Sequence, residues 1–354
     1  GRYGLSGVPL AQLRFARSLS KLGHEVELVF GSVNAGNKIP HSQNFKITTL
    51  NKKRVSLMFF NLIDIVKNKH FDLIFSAGDH LNAVVLLSAI ISRSSIKISC
   101  SSRVTPFDTY SNYIFSKGWI LKIIMKLVMH RANVLTCVSK DMVAQYKKIF
   151  ISAKHVPIYN IVKDEESDLR IIENLDEEWL INKKCPVIMA AGMLEPWKGF
   201  GDLIFAFKKL LKTTKAKLII LGDGSLRDEL EKLLIDLKLN EHVKIKGYVK
   251  NPLKYFSRAD VFALSSYVEG MPNVLIEAMM AGCTPVSTNC ETGPKEILSS
   301  GRYGYLVPTN NPQALCDGLI KAINNPISKK ILNEAVQPFL ESNVIKEHFK
   351  QLGI

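Results

Sequence analysis

Apolar and polar positions along this chain follow two alternating rhythms. Short runs rich in β-branched and aromatic residues predict strands at Glu25–Phe30, Phe45–Leu50, Phe71–Phe75, Lys97–Cys100 and Val134–Val138. Between them, apolar residues recurring every three or four positions predict helices over 8–22, 55–69, 80–92, 116–131 and 139–149. The first of these is sharply bounded, since Pro9 suits a first helical turn and Gly23 a C-terminal stop. Beyond residue 184 the alternation restarts. Strands are expected near 186–191, 216–221, 242–246, 260–264, 284–287 and 304–307, with helices over 199–212, 225–238, 251–257, 273–281 and 312–324. Such alternation places helices on both faces of a parallel sheet, so the expected class is α/β, as two Rossmann-like doubly wound domains.

Residues 151–184 keep neither rhythm and hold Pro157, Asn160 and Asp164-Glu165-Glu166, which marks a crossing between domains over 1–163 and 164–338. A last helix, about 339–351, can pack on either domain. In a doubly wound domain a glycine-rich loop before the first helix follows an apolar strand. Gly1–Gly7 (GRYGLSG) has no such strand before it. The expectation is an opening strand missing from this sequence, leaving the first domain one central strand short.

A length of 354 residues fits two domains. With 47% apolar and 22% charged residues, disordered and collagen-like architectures are excluded. Cys100, Cys137, Cys185, Cys283, Cys290 and Cys316 form no Cys-x-x-Cys pair, and the eight histidines are unclustered. That argues against zinc and disulfide frameworks and for a reducing compartment. The longest apolar run, Leu81–Ile91, falls short of the roughly 20 residues that span a bilayer, and no apolar leader follows Gly1. The expected location is cytoplasmic, in solution or peripheral on the inner face of the membrane. Charge changes this picture. Residues 1–163 carry 23 Lys+Arg against 7 Asp+Glu, a balance of +16, whereas 164–354 carry 24 against 25, a balance of −1. An anionic partner is therefore expected for the first domain only.

Candidate chemistry concentrates in the second half. Five ordered pieces stand out: AGMLEPWKGF (191–200), LGDGSLRDEL (221–230), SSYVEGMPNVLIEAMMAGCTPV (265–286), TGPKEI (292–297) and YGYLVP (303–308). Glu269 precedes Gly270 and Pro272 and so sits in a loop, while Glu277 falls inside the helix that Gly282 ends. A helix start offers backbone donors and a positive dipole end to a diphosphate, and carboxylates around it can accept hydrogen bonds from sugar hydroxyls. By spacing alone, a solvated loop glutamate and a helix-surface glutamate are the favoured explanation of the pair.

The pieces together resemble the donor domain of retaining glycosyltransferases of the family 4 type, which have the GT-B fold of two domains facing across a cleft. LGHEV (22–26) and the Ser-Lys stretch after Cys137 extend the resemblance to the first half. It implies transfer of a sugar from a nucleotide-diphosphate donor, UDP first among them, with no metal and no cofactor. The acceptor would be a glycan or lipid-linked intermediate of surface polysaccharide or glycoconjugate synthesis, and the sugar a hexose or N-acetylhexosamine. Carried over by position, Glu269 holds the donor sugar, Glu277 the ribose, and Lys198 the diphosphate. Gly270, Met271, Pro272, Asn273 and Val274 frame the diphosphate, and Val249 and Met193 also line the donor. Where the family has an arginine, this chain has Met193. Arg227, Arg258 and Arg103 are left as replacement cations.

In the first domain, SSRVTP (101–106) puts Ser102 and Arg103 where a subset of the family has Ser-Glu-Arg, so Arg103 is a catalytic candidate with a plain surface cation as its alternative. Gly4, Gly7 and Val8 of the opening loop are candidates for acceptor contact, Asn160 for a hinge or cap, and Gly222–Gly224 for a structural turn. Residues 113–131 interleave Trp119, Ile120, Ile123, Ile124, Leu127 and Val128 with Lys117, Lys122, Lys126 and Arg131. That mixture suits a helix in a membrane interface and equally one buried against its own sheet. Two other classes stay open: a GT-B binding or scaffold protein with weakened turnover, and a basic nucleic-acid-binding module. The latter lacks aromatic residues interleaved among its charges, so no nucleic acid is expected.

Overall fold

A computed structural model describes residues 2–3, 7–33, 44–68 and 71–354. Of the predicted opening loop, Gly1, Gly4 and residues 5–6 lie outside the described residues, as does the last residue of the helix expected over 55–69. Chain contacts divide the molecule into two compact units, Gly1–Ile161 with Glu341–Ile354, and Val162–Leu340.

The first unit carries its strands in three parallel pieces. Arg2–Tyr3 (β1) pairs with Ser32–Val33 (β3), and Glu27–Phe30 (β2) pairs with Lys46–Thr49 (β4). Leu73–Ala77 (β5), Lys97–Ser102 (β6), Val134–Cys137 (β7) and His155–Pro157 (β8) form a continuous four-stranded sheet in that order. Helices follow the predicted rhythm at Gly7–Lys21 (α1), Phe59–Asn68 (α2), Asp79–Ile91 (α3), Lys117–Val128 (α4) and Lys140–Ile149 (α5). Pro9 sits buried in the first turn of α1, whose Leu13, Ala16 and Leu19 repeat the helical period inward. β8 was not expected, because three residues ending in a proline carry no strand signal. Its place at the sheet edge explains why Pro157 is tolerated there.

The second unit is one six-stranded parallel sheet. Its strands are Val187–Ala191 (β9), Lys217–Leu221 (β10), Val243–Ile245 (β11), Val261–Leu264 (β12), Thr284–Thr288 (β13) and Tyr305–Val307 (β14). The order β11-β10-β9-β12-β13-β14 reverses between β9 and β12, a topological switch point. Helices Phe200–Leu210 (α6), Arg227–Asp236 (α7), Asn273–Ala281 (α8), Pro312–Asn324 (α9) and Lys329–Val336 (α10) cover it. β12 is buried along its whole length, as a strand covered on both faces must be. The helix expected over 251–257 is a single turn, Leu253–Phe256, and α10 has no counterpart in the sequence reading. Glu341–Leu352 (α11) belongs to the first unit, where Val344 and Ile345 join Leu19, Ile158 and Ile161 in one core cluster.

Five cysteines are buried and Cys185 is half-buried; all six are free thiols. Burial pushes the thiols of Cys100, Cys137 and Cys283 up, out of the reactive range.

Two glycines give opposite expectations. Gly199 holds φ +63°, and a Cβ there would stand 2.2 Å from the carbonyl oxygen of Ser265. Gly201 has nothing within 4 Å of that position. Gly199→Ala should lower stability by about 2–3 kcal/mol, whereas Gly201→Ala should be neutral or raise it by up to about 1 kcal/mol, as read from urea unfolding midpoints.

Glu177 supplies a pH-dependent test. Burial raises its pKa, but hydrogen bonds from Lys244 (2.7 Å) and Lys246 (2.6 Å) outweigh this and hold it below its ordinary value. A carboxylate with a depressed folded pKa adds stability above its unfolded pKa and loses it as pH falls through the folded one. The stability gap between wild type and Glu177→Gln should therefore be constant at neutral pH and close below about pH 4. A gap unchanged down to pH 3 would show that the ion triad contributes nothing through charge.

Candidate functional site

Two loops leave adjacent strands at the switch point. From β9 the chain runs through Gly192–Glu195 and a 3-10 turn, Pro196–Lys198, into α6. From β12 it runs through Ser265–Pro272 into α8. The two are knitted by backbone. Ser265 Oγ donates to the Lys198 carbonyl (2.8 Å), and the Tyr267 amide donates to the Trp197 carbonyl (2.8 Å). Such close approach requires the absent Cβ at Gly199.

This seam brings Lys198 and Glu269 together. Lys198 Nζ lies 2.5 Å from Glu269 Oε1, with the two side chains 16% and 10% exposed. Ser266 Oγ donates to the same carboxylate oxygen at 2.6 Å, and Thr292 Oγ1 donates to the Glu269 carbonyl. Gly293 is packed against Pro272 and the Gly270 carbonyl, so the TGPKEI piece braces the loop from its far side. Sequence reasoning gave Lys198 and Glu269 separate duties; the structure makes them one ion pair, positioned by Ser265, Ser266 and Thr292. Those three lie within quoted pieces, but nothing in their type or spacing distinguished them from loop residues.

α8 begins beside this pair. Pro272 occupies its cap position and makes no side-chain cap to the first turn, which Asn273 and Val274 form. Glu277 stands just over one turn in and is buried at 9% exposure. Met271 is buried as well, and Met193 is 46% exposed on the β9 loop. Val249 follows β11, beyond Gly247, whose carbonyl accepts from the Gly222 amide at 2.7 Å. Gly224 packs on the Leu194 backbone, so Gly222–Gly224 is a turn that fits against the β9 loop.

Neither candidate replacement cation of this unit is available to Met193's neighbourhood as an unengaged charge. Arg227 pairs with Asp223 and Glu231, and Arg258 donates to the carbonyls of Lys254 and Glu173. The Arg227 pairs follow i,i+4 spacing, whereas Arg258 reaches Glu173 across 85 residues.

In the first unit, Arg103 is no surface cation. Its guanidinium donates to Asn160 Oδ1, its Nε is buried without a hydrogen-bond partner, and burial lowers its pKa to about 10. Asn160 is thus an acceptor for Arg103, a role beyond the hinge or cap expected of it. His348 lies near enough to matter: burial, then Arg103, pull its pKa down to about 3. Ser102 is structural. Its Oγ donates to Asp79 Oδ1 (2.6 Å), while Tyr146 donates to Asp79 Oδ2 (2.6 Å), and burial nonetheless holds the Asp79 pKa up. Gly7 and Val8 open α1, with Val8 exposed and open space where a Gly7 Cβ would stand.

Comparison with known proteins now bears on this geometry. Residues 171–337 match the family described as Glycosyl transferases group 1, and residues 6–166 match Glycosyltransferase Family 4. The chain belongs to the family 4-type GT-B glycosyltransferases. An uncharacterised glycosyltransferase of Methanocaldococcus jannaschii is 31% identical over 251 residues, covering 68% of this chain and 61% of that protein. The N-acetylgalactosamine-N,N'-diacetylbacillosaminyl-diphospho-undecaprenol 4-alpha-N-acetylgalactosaminyltransferase of Campylobacter jejuni is 29% identical over 257 residues, 72% of this chain and 68% of that one. Among solved structures, Anabaena HepE in complex with UDP and glucose superposes with a TM-score of 0.73 at 18% identity, over 100% of this chain and 98% of that one. Sucrose-phosphate synthase of Thermosynechococcus elongatus gives 0.76 at 16% identity, over 99% and 95%. These structural likenesses establish the α/β GT-B fold.

The ion pair is testable in the glycosyltransferase without substrate. Glu269→Ala and Lys198→Met should each destabilise the chain, because each leaves a largely buried charge unmatched. The double variant should recover part of the loss, with a coupling energy of about 1–3 kcal/mol in a thermodynamic cycle. Strict additivity of the two would mean the contact is not energetically coupled.

Proposed function

We propose that this chain is a retaining glycosyltransferase that moves a sugar from a UDP-sugar to a hydroxyl of a glycan or lipid-linked acceptor. The observation that carries the reading is the Lys198–Glu269 pair, held by two knitted loops at the switch point that lead into α6 and α8. In the proposed reaction the bond from the anomeric carbon to the diphosphate oxygen breaks while the acceptor oxygen bonds on the same face. The acceptor's proton passes to the departing phosphate oxygen. Negative charge grows on the diphosphate, and Lys198 with the positive end of α8 stabilises it where it develops. Gly270, Met271 and Pro272 set the turn, Glu269 orients the sugar, and Glu277 accepts from the ribose. This division of labour requires no metal, so turnover should persist in EDTA. Support for UDP comes from the HepE complexes, and for a lipid-linked acceptor from the Campylobacter relative, whose name specifies a diphospho-undecaprenol substrate.

Binding separates the two carboxylates. Glu277→Ala should weaken UDP binding by about 1.5–3 kcal/mol, the scale of a hydrogen bond to a charged group. Glu269→Ala should leave UDP affinity near wild type but lose sugar transfer. Calorimetry with UDP and turnover with a UDP-sugar panel measure both, and equal UDP affinities across all three proteins would refute the ribose assignment.

A second reading, a binding protein with weakened turnover, is favoured by the exposed Met193 and by the engagement of Arg227 and Arg258 elsewhere. Met193→Arg decides between them. The catalytic reading expects little gain, and an increase of tenfold or more would mark the position as a lost cation.

Attachment to an anionic membrane through the first unit is part of the proposal. α4 buries Leu121, Met125 and Val128, while Ile120, Ile123 and Leu127 are exposed on it. Tyr113, Ile114 and Phe115 just before it are 84%, 67% and 82% exposed. Its two sides are compatible with both roles that its sequence left open: one side packs inward, and the other offers apolar side chains among lysines. Replacing Lys117, Lys122 and Lys126 with Glu should release the protein from phosphatidylglycerol vesicles at low salt, and added salt should release wild type as the Debye length shrinks from about 10 Å to about 3 Å. Equal sedimentation of both proteins at low salt would remove the membrane from the proposal.

A further inference from the structure

One face of the four-stranded sheet in the first unit packs on α1 and α11, and most of what meets there is apolar: Phe15 and Leu19 of α1, Phe75 of β5, Val344 and Ile345 of α11. A polar cluster interrupts it. Ser99 and Ser101 of β6 and Arg103 just beyond it follow the alternation of a strand, and all three line one cavity on this face. Gln12 of α1, Asn160 and His348 of α11 complete it. The cavity measures about 20 Å³. That is room for one water-sized species, which needs roughly 10–15 Å³, and not for a phosphate or a sugar.

Donors gather here without acceptors to match. Arg103 donates one guanidinium hydrogen bond to Asn160 Oδ1, but its Nε is shielded from water and has no partner. His348 is 7% exposed, with its ring 4.9 Å from that of Phe15 and 5.4 Å from that of Phe75, and its Nδ1 is also buried without a partner. Burial lowers the Arg103 pKa to about 10, and burial, then Arg103, lowers that of His348 to about 3. At neutral pH the arginine is therefore charged, and the imidazole is neutral with one N–H to give. Among the described residues no carboxylate pairs with Arg103. The carboxylate of Asp79 is taken up by Tyr146 and by Ser102, whose side chain alternates to the opposite face of β6.

We infer that this cavity is a binding site for a small monatomic anion of the chloride type, held by Arg103 with the hydroxyls of Ser99 and Ser101 and the imidazole of His348. A water molecule fills the same space but brings no charge. The guanidinium would then keep one neutral acceptor in a place largely removed from water, an arrangement that buried charges rarely bear. An anion answers the charge and the hydrogen bonds together. It also ties β6 to α11, the helix whose Val344 and Ile345 complete the core of this unit, so its occupancy should register in stability. The site lies wholly in the first unit, whereas Lys198 and Glu269 belong to the second, and its test needs no sugar transfer.

Thermal unfolding of the full chain tests this, with sodium chloride or bromide exchanged for sodium gluconate at a low, fixed ionic strength. Gluconate is too large for the cavity. Halide should raise the melting temperature of wild type by about 2–5 °C along a saturating curve. Ser101→Asp, which places a carboxylate on the same strand face as Arg103, should lose the halide response and melt in gluconate no lower than wild type does. Arg103→Met should lose the response as well. Wild-type crystals soaked in bromide need no variant, and their anomalous scattering should show an ion within hydrogen-bond distance of Arg103 Nε. Identical melting of wild type in halide and gluconate, or a halide shift unchanged in Arg103→Met, would overturn the inference. So would bromide found only at other places, which would leave the cavity to water.

Discussion

The second unit depends on how closely two backbones approach where the strand order reverses. Gly199 admits the Ser265 carbonyl to a distance no side chain permits, and the Ser265 hydroxyl then locks onto Lys198. The candidate site is built on that contact. It fixes the rise of the β9 loop, aims Lys198 at Glu269, and sets where α8 begins. The rigid floor beneath is supplied by β9 and β12, whose central residues Ile188, Met189, Phe262 and Ala263 are nearly or wholly shielded from water. A site on loops gains precision when its loops are pinned to such strands and to each other.

Charge is handled differently in the two units. At the switch point a lysine and a glutamate share one partly shielded place, and two hydroxyls complete the carboxylate's hydrogen bonding at Ser266 and the backbone's at Thr292. In the first unit, Arg103 is matched by a neutral amide and faces a histidine that burial keeps neutral. The excess positive charge of that unit resides instead on exposed lysines, where long-range attraction to an anionic surface loses little to desolvation.

Much of this was visible in the linear chain where periodicity is strong. α1 begins and ends within a residue of the limits that Pro9 and Gly23 mark, and the strands of the second unit follow their apolar runs. The family resemblance rested on ordered pieces between Ala191 and Pro308, and the matched families span both halves. What stayed hidden were partnerships across sequence. Asn160 lies 57 residues from Arg103, and Ser102 lies 23 from the carboxylate it serves, so no spacing rule links them. Short elements were hidden too. β8 exists because tertiary packing holds it, not because its residues prefer that shape, and the helix expected over 251–257 shrinks to the single turn Leu253–Phe256.

The return of α11 to the first unit changes how the chain must assemble. Residues 162–340 form one uninterrupted compact unit, so this half can collapse as soon as it emerges from the ribosome. The half that emerges earlier cannot complete its interior then, because Leu19, Ile158 and Ile161 wait for Val344 and Ile345. The sheet made earlier is thus finished later, and during that interval its apolar face stands open. Synthesis order and folding order run in opposite directions here, which makes the earlier half the place where a nascent chain most needs a chaperone.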